Sequence, residues 1–257
     1  MKRFEQKTVL VTGAASGIGA ACVRRLWEEG ASVALADQDQ TGLEKLISEF
    51  SETNDNPRIF GGRLDVSDSA QVQSFVAAAK GKFGHLHGLI NCAGIKGVGN
   101  VLDCEPENWK KVMSVNLDGT FLMCQAFARA VQHDRTSRAI VNISSGAGIM
   151  GVPNRLPYVA SKFAVSGVTR TMGAELGPYG IRVNAIAPGM VRTPFTAYMF
   201  EDPEKARRIR AAHAIGREGQ PEEIAAVATF LLTDDASFMT GAVVSVDGGQ
   251  TACIPSV

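Results

Sequence analysis

The chain has 257 residues, 45% of them hydrophobic and 20% charged, and 26 Lys plus Arg balance 26 Asp plus Glu. That length and composition allow one large α/β domain with a buried core, or two small ones. A formal net charge of zero and the lack of a membrane-length apolar run exclude the usual signatures of nucleic-acid and membrane partners.

The opening stretch, MKRFEQKTVLVTG, enters a strand pattern without a separate apolar segment or cleavage site, so no secretory signal is expected. The first predicted strand, TVLVTG from Thr8, ends in TGAASGIG. Gly13, Gly17 and Gly19 there permit a tight turn, close approach of the backbone to a phosphate, and close helix–strand packing. The helix GIGAACVRRLWEEG begins inside the turn, and its N-terminus offers free N–H groups and a favourable dipole to a pyrophosphate. The spacing G-x-x-x-G-x-G departs from the more familiar G-x-G-x-x-G.

A second strand, SVALAD from Ser32, ends at Asp37, eighteen residues after Gly19. An acid at that point can accept both ribose hydroxyls of an adenosine. It would also repel a 2′-phosphate, for a preference on the order of a hundredfold at an effective dielectric of about 20. No Arg or Lys adjoins it, since Gln38 follows and Ser16 holds the turn position before Gly17. NAD is the expected cofactor, not NADP.

Further strands are predicted at RIFGGRLDV from Arg58, LHGLINCAG from Leu86, RAIVNISS from Arg138, IRVNAIAPG from Ile181 and AVVSVDGG from Ala242. Most are continuous apolar runs, as expected for strands covered on both faces. Segments with three- and four-residue apolar spacing, such as AQVQSFVAAAKGKFG, lie between them. Repeated strand–helix–strand order predicts a parallel sheet with helices on both faces, and no linker or repeat divides the chain, so residues 1–257 form one expected domain. A long helical segment from about Trp109 to Gln132 carries Phe121, Met123 and Phe127, more apolar surface than one sheet face buries. His85 and His87 lack a third ligand beside them and predict a surface loop, with no metal. Cys22, Cys92, Cys104, Cys124 and Cys253 are odd in number and mostly in apolar surroundings, which predicts reduced thiols in a cytoplasmic protein.

In PNRLPYVASKFAV, Pro157 suits the first turn of a helix, and Tyr158 and Lys162 then share a face one turn apart. Two amphipathic side chains or a reactive pair both satisfy that spacing. In the reactive reading, a lysine cation lowers the phenol from its ordinary value near 10 by about one to three pH units, towards the range useful for proton transfer.

TGAASGIG, NCAG (Asn91 to Gly94), YVASK and NAIAPG (Asn184 to Gly189) occur in one order along one chain. Together they resemble the short-chain dehydrogenase/reductase family in its compact single-domain branch, from Thr8 to Gly249. The resemblance implies a Rossmann-type doubly wound, seven-stranded parallel sheet with helices on both faces. It implies catalytic roles for Asn116, Ser145, Tyr158 and Lys162, with Ser145 thirteen residues before Tyr158 as the family spaces them. Ser144 is the rival, but successive strand residues point to opposite faces.

For the cofactor, the resemblance puts Gly13, Ser16, Gly17, Ile18 and Gly19 at the pyrophosphate turn. Asp37 takes the ribose, Asp65 the adenine amino group with Val66 beside it, and Asn91, Ala93 and Gly94 the motif after the fourth strand. Pro188, Gly189, Val191 and Thr193 follow the sixth strand, Thr193 meeting the carboxamide, while Tyr158 and Lys162 reach the nicotinamide ribose. Cys92 departs from the family's Asn-Asn-Ala-Gly, and a local packing change without lost function is expected.

The implied activity is NAD-dependent hydride transfer between nicotinamide and a secondary alcohol or ketone, of the sugar, diol or cyclic alcohol type. Tyr158 would take or give the hydroxyl proton, Ser145 would hold the substrate oxygen, and the Asn116 carbonyl would hold a water leading to Lys162. A 3-oxoacyl-thioester reductase is the alternative, and a non-catalytic nucleotide sensor a remote one. A substrate lid is expected at about 192–215, where Phe195, Tyr198, Met199 and Phe200 either line an apolar pocket or pack the lid down. Lys96, Arg155 and Arg192 near the mouth are either contacts for an anionic substrate group or solvated surface charge. A homotetramer is the family expectation.

Overall fold

The computed structural model describes residues 2–50, 57–134 and 136–252; Cys253, assigned above to the reduced thiols, lies outside the described residues. The strands are β1 (Thr8–Thr12), β2 (Ser32–Asp37), β3 (Ile59–Arg63), β4 (Gly88–Asn91), β5 (Arg138–Ile143), β6 (Ile181–Pro188) and β7 (Val243–Val246). The helices are α1 (Gly17–Glu28), α2 (Gln40–Ser48), α3 (Ser69–Phe83), α4 (Pro106–Met113), α5 (Gly119–Val131), α6 (Leu156–Leu176), α7 (Pro203–Ala211) and α8 (Pro221–Leu232). Every strand pairing is parallel, and the order β3-β2-β1-β4-β5-β6-β7 is the doubly wound Rossmann arrangement.

Alternation along the strands explains the unbroken apolar runs. Val9 and Val11 of β1 join Cys22 and Leu26 of α1 and Ile224 and Leu231 of α8 in one core. Leu10, between them, joins Phe75 of α3 and Met123 and Phe127 of α5 in the other. Successive side chains point to opposite faces, and helices cover both, so neither face needs polar residues. No helix among the described residues is long and apolar enough to cross a membrane.

Three elements differ from the sequence expectation in ways that matter for the site. The segment expected as one helix from Trp109 to Gln132 is broken by a π-helical turn at Ser114–Asp118 between α4 and α5. Gly119 opens α5 against β3's exit, where an added Cβ would stand 2.6 Å from Val66 Cγ2. Of the three residues expected in surplus there, Met123 and Phe127 are fully buried and Phe121 alone is exposed. Strands β3 and β5 stop at Arg63 and Ile143, so Asp65 and Ser145 sit just beyond them, in loops at the C-terminal edge of the sheet.

Candidate active site

The sheet's order reverses at β1, which lies between β2 and β4, and Thr12 at its end pairs with Asn91 of β4. A crevice outside the strand ends is the physical consequence of that reversal. A cavity of about 460 Å³ occupies it. At one end Gly13 adopts φ +63°, and a Cβ there would come within 2.6 Å of Ala93 N. Gly19, in the first turn of α1, leaves no room either: a Cβ would lie 2.0 Å from Gly13 O. Ser16, the N-cap, makes no side-chain cap, and the first turn of α1 carries no acid. The helix N-terminus is therefore left without a competing anion of its own.

Asp37 faces the same end. Its Oδ2 accepts from Ala15 N and its Oδ1 from Asp39 N, each at 3.0 Å, so one carboxylate braces the glycine turn and retains lone pairs for a further donor. A glycine-floored cradle at a bare helix N-terminus, with an acid at the end of the next strand, fits a dinucleotide cofactor.

Tyr158 and Lys162 reach the cavity from the first two turns of α6, where Pro157 occupies an early position whose missing N–H costs nothing. Lys162 is buried and donates from Nζ to Ile143 O at 2.8 Å. Ser145 accepts from Ala147 N at 3.1 Å and also bonds the Tyr158 hydroxyl. Ser144 is committed elsewhere, to Lys162 O at 3.0 Å and Ser166 Oγ at 2.8 Å, which leaves Ser145 as the serine free to meet a substrate oxygen.

The electrostatics of the pair differ from the expectation. Burial holds the Tyr158 phenol above its ordinary value, while the Ser145 hydrogen bond and the charge of Arg155 pull it down. Burial also lowers Lys162 to about 8, opposed by Cys92. Lys162 fails to pull the phenol down because its ammonium turns towards Ile143 O, with Nζ 5.7 Å from the Tyr158 ring centre.

Asn116 owes its place to the π-helical turn. Buried there, its Oδ1 accepts from Ile95 N at 2.7 Å and its Nδ2 donates to Ile95 O and Ser161 Oγ at 3.1 Å each. Its main-chain carbonyl accepts from Thr120 Oγ1 at 2.8 Å and keeps its second lone pair. The Asn116 amide and the Lys162 ammonium both flank Gly94, whose absent Cβ would lie 3.3 Å from Asn116 Oδ1 and 3.6 Å from Lys162 Nζ.

Of the residues singled out in the sequence, Gly13, Ser16, Gly17, Ile18, Gly19, Asp37 and Val66 line the cofactor end of the cavity. Ala93, Gly94, Pro188, Gly189, Val191 and Thr193 line its middle, and Lys96, Arg155 and Phe195 its outer end. Asp65, Asn91 and Asn116 do not line it. Asp65 is turned to Ser67, whose N and Oγ donate to Oδ1 at 2.9 and 2.6 Å. Asn91 is buried and donates to Asn142 Oδ1 at 2.9 Å, tying β4 to β5 beneath the cavity. Arg192 is likewise outside the lining, paired at 3.1 Å with Glu218.

The sequence reading missed Met150, Val152 and Gln250, which line the cavity from loops with no motif of their own. Cys92 lines it too and hydrogen-bonds Cys22 of α1, which holds the Cys22 thiol well above its usual range. His87 accepts from Thr8 N through Nδ1 at 3.0 Å, a structural bond between β4's entry and β1.

The outer end is built of side chains. Phe195 stands 6.2 Å from Tyr158, ring centre to ring centre. Tyr198, in a short 3-10 turn at Ala197–Met199, accepts from Arg155 Nη2 at 2.8 Å through its hydroxyl. Met199 lines the cavity as well, whereas Phe200 lies under Arg192, 4.8 Å from its guanidinium.

The chain is similar to known proteins along nearly its whole length. Residues 13–251 match the family model described as enoyl-(acyl carrier protein) reductase. Levodione reductase of Leifsonia aquatica is 40% identical over 97% of this chain and 96% of its own. Trans-4-hydroxycyclohexanecarboxylate dehydrogenase of Sinomonas cyclohexanicum is 37% identical over 97% of this chain and 95% of its own. A crystal structure of levodione reductase superposes with a TM-score of 0.92 at 39% identity, covering 98% of this chain and 100% of that one.

Proposed function

The chain belongs to the short-chain dehydrogenase/reductase family, and from that premise we propose that it transfers a hydride between NAD and a ring or alkyl secondary alcohol. It is an oxidoreductase of the CH–OH group, as its relatives are. One observation carries the finer reading: Ser145, Tyr158 and Lys162 line the cavity that has Asp37 at its other end. The carboxylate favours ribose hydroxyls over a 2′-phosphate, hence NAD over NADP.

The bound nicotinamide supplies or receives the hydride. Gly13, Ser16, Gly17, Ile18 and Gly19 present backbone to the pyrophosphate, and Val66, Ala93, Gly94, Pro188, Gly189, Val191 and Thr193 complete the seat. Tyr158 gives its proton to the carbonyl oxygen in reduction and takes it back in oxidation. Ser145, already bonded to the phenol, holds the same oxygen and stabilises the charge that develops on it. Lys162 keeps a cation beside the pair and reaches the ribose, and the Asn116 main-chain carbonyl holds a water leading to Lys162. The segment at about 192–215 covers the substrate, with Phe195 as its apolar contact.

A relative in Thermotoga maritima, a 3-oxoacyl-[acyl-carrier-protein] reductase 39% identical over 96% of this chain and 98% of its own, favours a second reading, a 3-oxoacyl-thioester reductase. Such enzymes usually use NADP, which Asp37 opposes. Initial rates with NAD and NADP across secondary alcohols, sugars and diols, and with acetoacetyl-CoA in the reductive direction, separate the two. Faster turnover of the thioester with NADPH than of any alcohol with NAD overturns the proposal. A cytoplasmic homotetramer completes it, supported by the exposed Phe121 of α5 and the four free cysteines among the described residues. A monomeric mass in solution overturns the assembly.

A further inference from the structure

The outer end of the cavity holds an uncompensated charge. Lys96 Nζ lies 4.1 Å from the ring centre of Tyr198 and 5.3 Å from that of Phe195, and Lys205 Nζ of α7 lies 5.3 Å from Tyr198 on its own approach. Arg155 spends one of its donors on the Tyr198 hydroxyl. Among the described residues neither Lys96 nor Arg155 pairs with a carboxylate, in contrast to Arg192, Arg210 and Arg217 close by. Two acids of the adjoining segments are occupied: Asp103 accepts from Asn100, and Asp202 caps α7.

The backbone brings the two cations together. Gly99 and Arg155 form a β-bridge, with Leu156 N donating to Gly99 O at 3.0 Å and Gly99 N to Asn154 O at 3.2 Å. Asn154 takes φ +60°, a left-handed conformation that a non-glycine residue adopts at a cost, and it aims the following Arg155 at the cavity. The charge of Arg155 also reaches the Tyr158 phenol, so the guanidinium lies within range of the reacting oxygen.

We propose that Arg155 and Lys96 form a carboxylate subsite, so that the substrate is a secondary alcohol or ketone carrying a carboxylate at the end remote from the carbinol. This deepens the dehydrogenase reading above and rests on it. The planar guanidinium retains free donors for a forked contact with a carboxylate, and the ammonium adds a point charge on the aromatic side. Phe195 and Tyr198 provide the apolar walls between that anion and Tyr158.

The test uses the full-length enzyme with NADH and two ketones of one shape, 4-oxocyclohexanecarboxylate and 4-oxocyclohexanecarboxamide. The carboxylate is expected to have the higher kcat/KM by about tenfold or more at low salt. Arg155→Ala and Lys96→Ala each bring the ratio towards one, mainly through KM, whereas Arg207→Ala on the exposed face of α7 leaves it as it was. Equal use of the two ketones, or a ratio indifferent to both cavity variants, overturns the proposal. Calorimetric titration of the protein with cyclohexanecarboxylate separates its failure from that of the underlying reading. Binding that weakens about tenfold in Arg155→Ala supports the subsite even if no ketone is turned over. Binding unchanged in that variant, or absent in the wild type, overturns the subsite whatever the turnover.

Discussion

The two ends of the cavity are built by different means. At the cofactor end the surface is mostly backbone: Gly13, Gly17 and Gly19, the bare start of α1, and Asp37 held by two main-chain N–H groups. At the substrate end it is side chains on loops, with Phe195 and Tyr198 38% and 37% exposed and Arg155 joined to Tyr198 by one hydrogen bond. The first kind of surface admits almost no substitution, because an added Cβ strikes main-chain atoms at Gly13 and Gly19 and would be strained at Gly17, whose φ is +55°. The second tolerates change and can be retuned without disturbing the sheet. A common chemistry with a variable substrate is the expected consequence of that division.

The sharpest way to break the comparison is at the point where the two ends meet. Tyr158→Phe removes one hydroxyl and leaves the cofactor cradle intact, so NADH binding measured by fluorescence titration should be retained while turnover falls by at least about a thousandfold. Loss of NADH binding instead would mean that Tyr158 belongs to the cofactor end. At that end, Asp37→Asn keeps the shape and removes the charge. The ratio of kcat/KM for NADP over NAD is expected to rise by about a hundredfold, and no change would remove Asp37 as the selector.

Titration gives a smaller effect. With the phenol held above its ordinary value by burial, Tyr158 is protonated throughout the neutral range. Ketone reduction needs that proton and should be flat there. Alcohol oxidation needs the phenolate, so its kcat/KM should rise about tenfold per pH unit near neutrality. No bend is expected near pH 8, where Lys162 loses its charge, because that ammonium does not hold the phenol down. Equal pH profiles in the two directions would show that Tyr158 is not the proton donor.

The same division governs what the sequence discloses. Glycines forced by close approach, and an acid at a strand end, are local requirements, so TGAASGIG and Asp37 are legible in one dimension. So are the seven strands, since burial on both faces writes itself as unbroken apolar runs. Asn116 is harder: its place depends on a π-helical turn that no three- or four-residue spacing announces. Asn91 reads as a cavity residue by motif but serves the sheet, because only the pairing of β4 with β5 reveals Asn142 beneath it. Met150, Val152 and Gln250 belong to no pattern, and Arg192 looks free until the fold brings Glu218 to it.

That last pair supplies the smallest prediction and bears on how firmly the substrate end is held. Glu218 accepts from Arg192 and from Arg210 and so staples the exit of β6 to the end of α7. The two guanidinium groups hold its carboxyl at about 2, well below the usual range. A depressed carboxyl stabilises the fold above its unfolded value near 4.5 and loses that contribution as pH falls towards about 2. Because both arginines are about half exposed, the contribution at neutral pH is about 1–2 kcal/mol. Glu218→Gln should therefore lower Tm by roughly 2–6 °C at neutral pH, with the difference from wild type vanishing near pH 2. If instead the gap persists undiminished in acid, packing and not charge anchors the segment. KM for the substrate should rise with little change in NADH affinity, because the staple acts on the loops and not on the glycine turn.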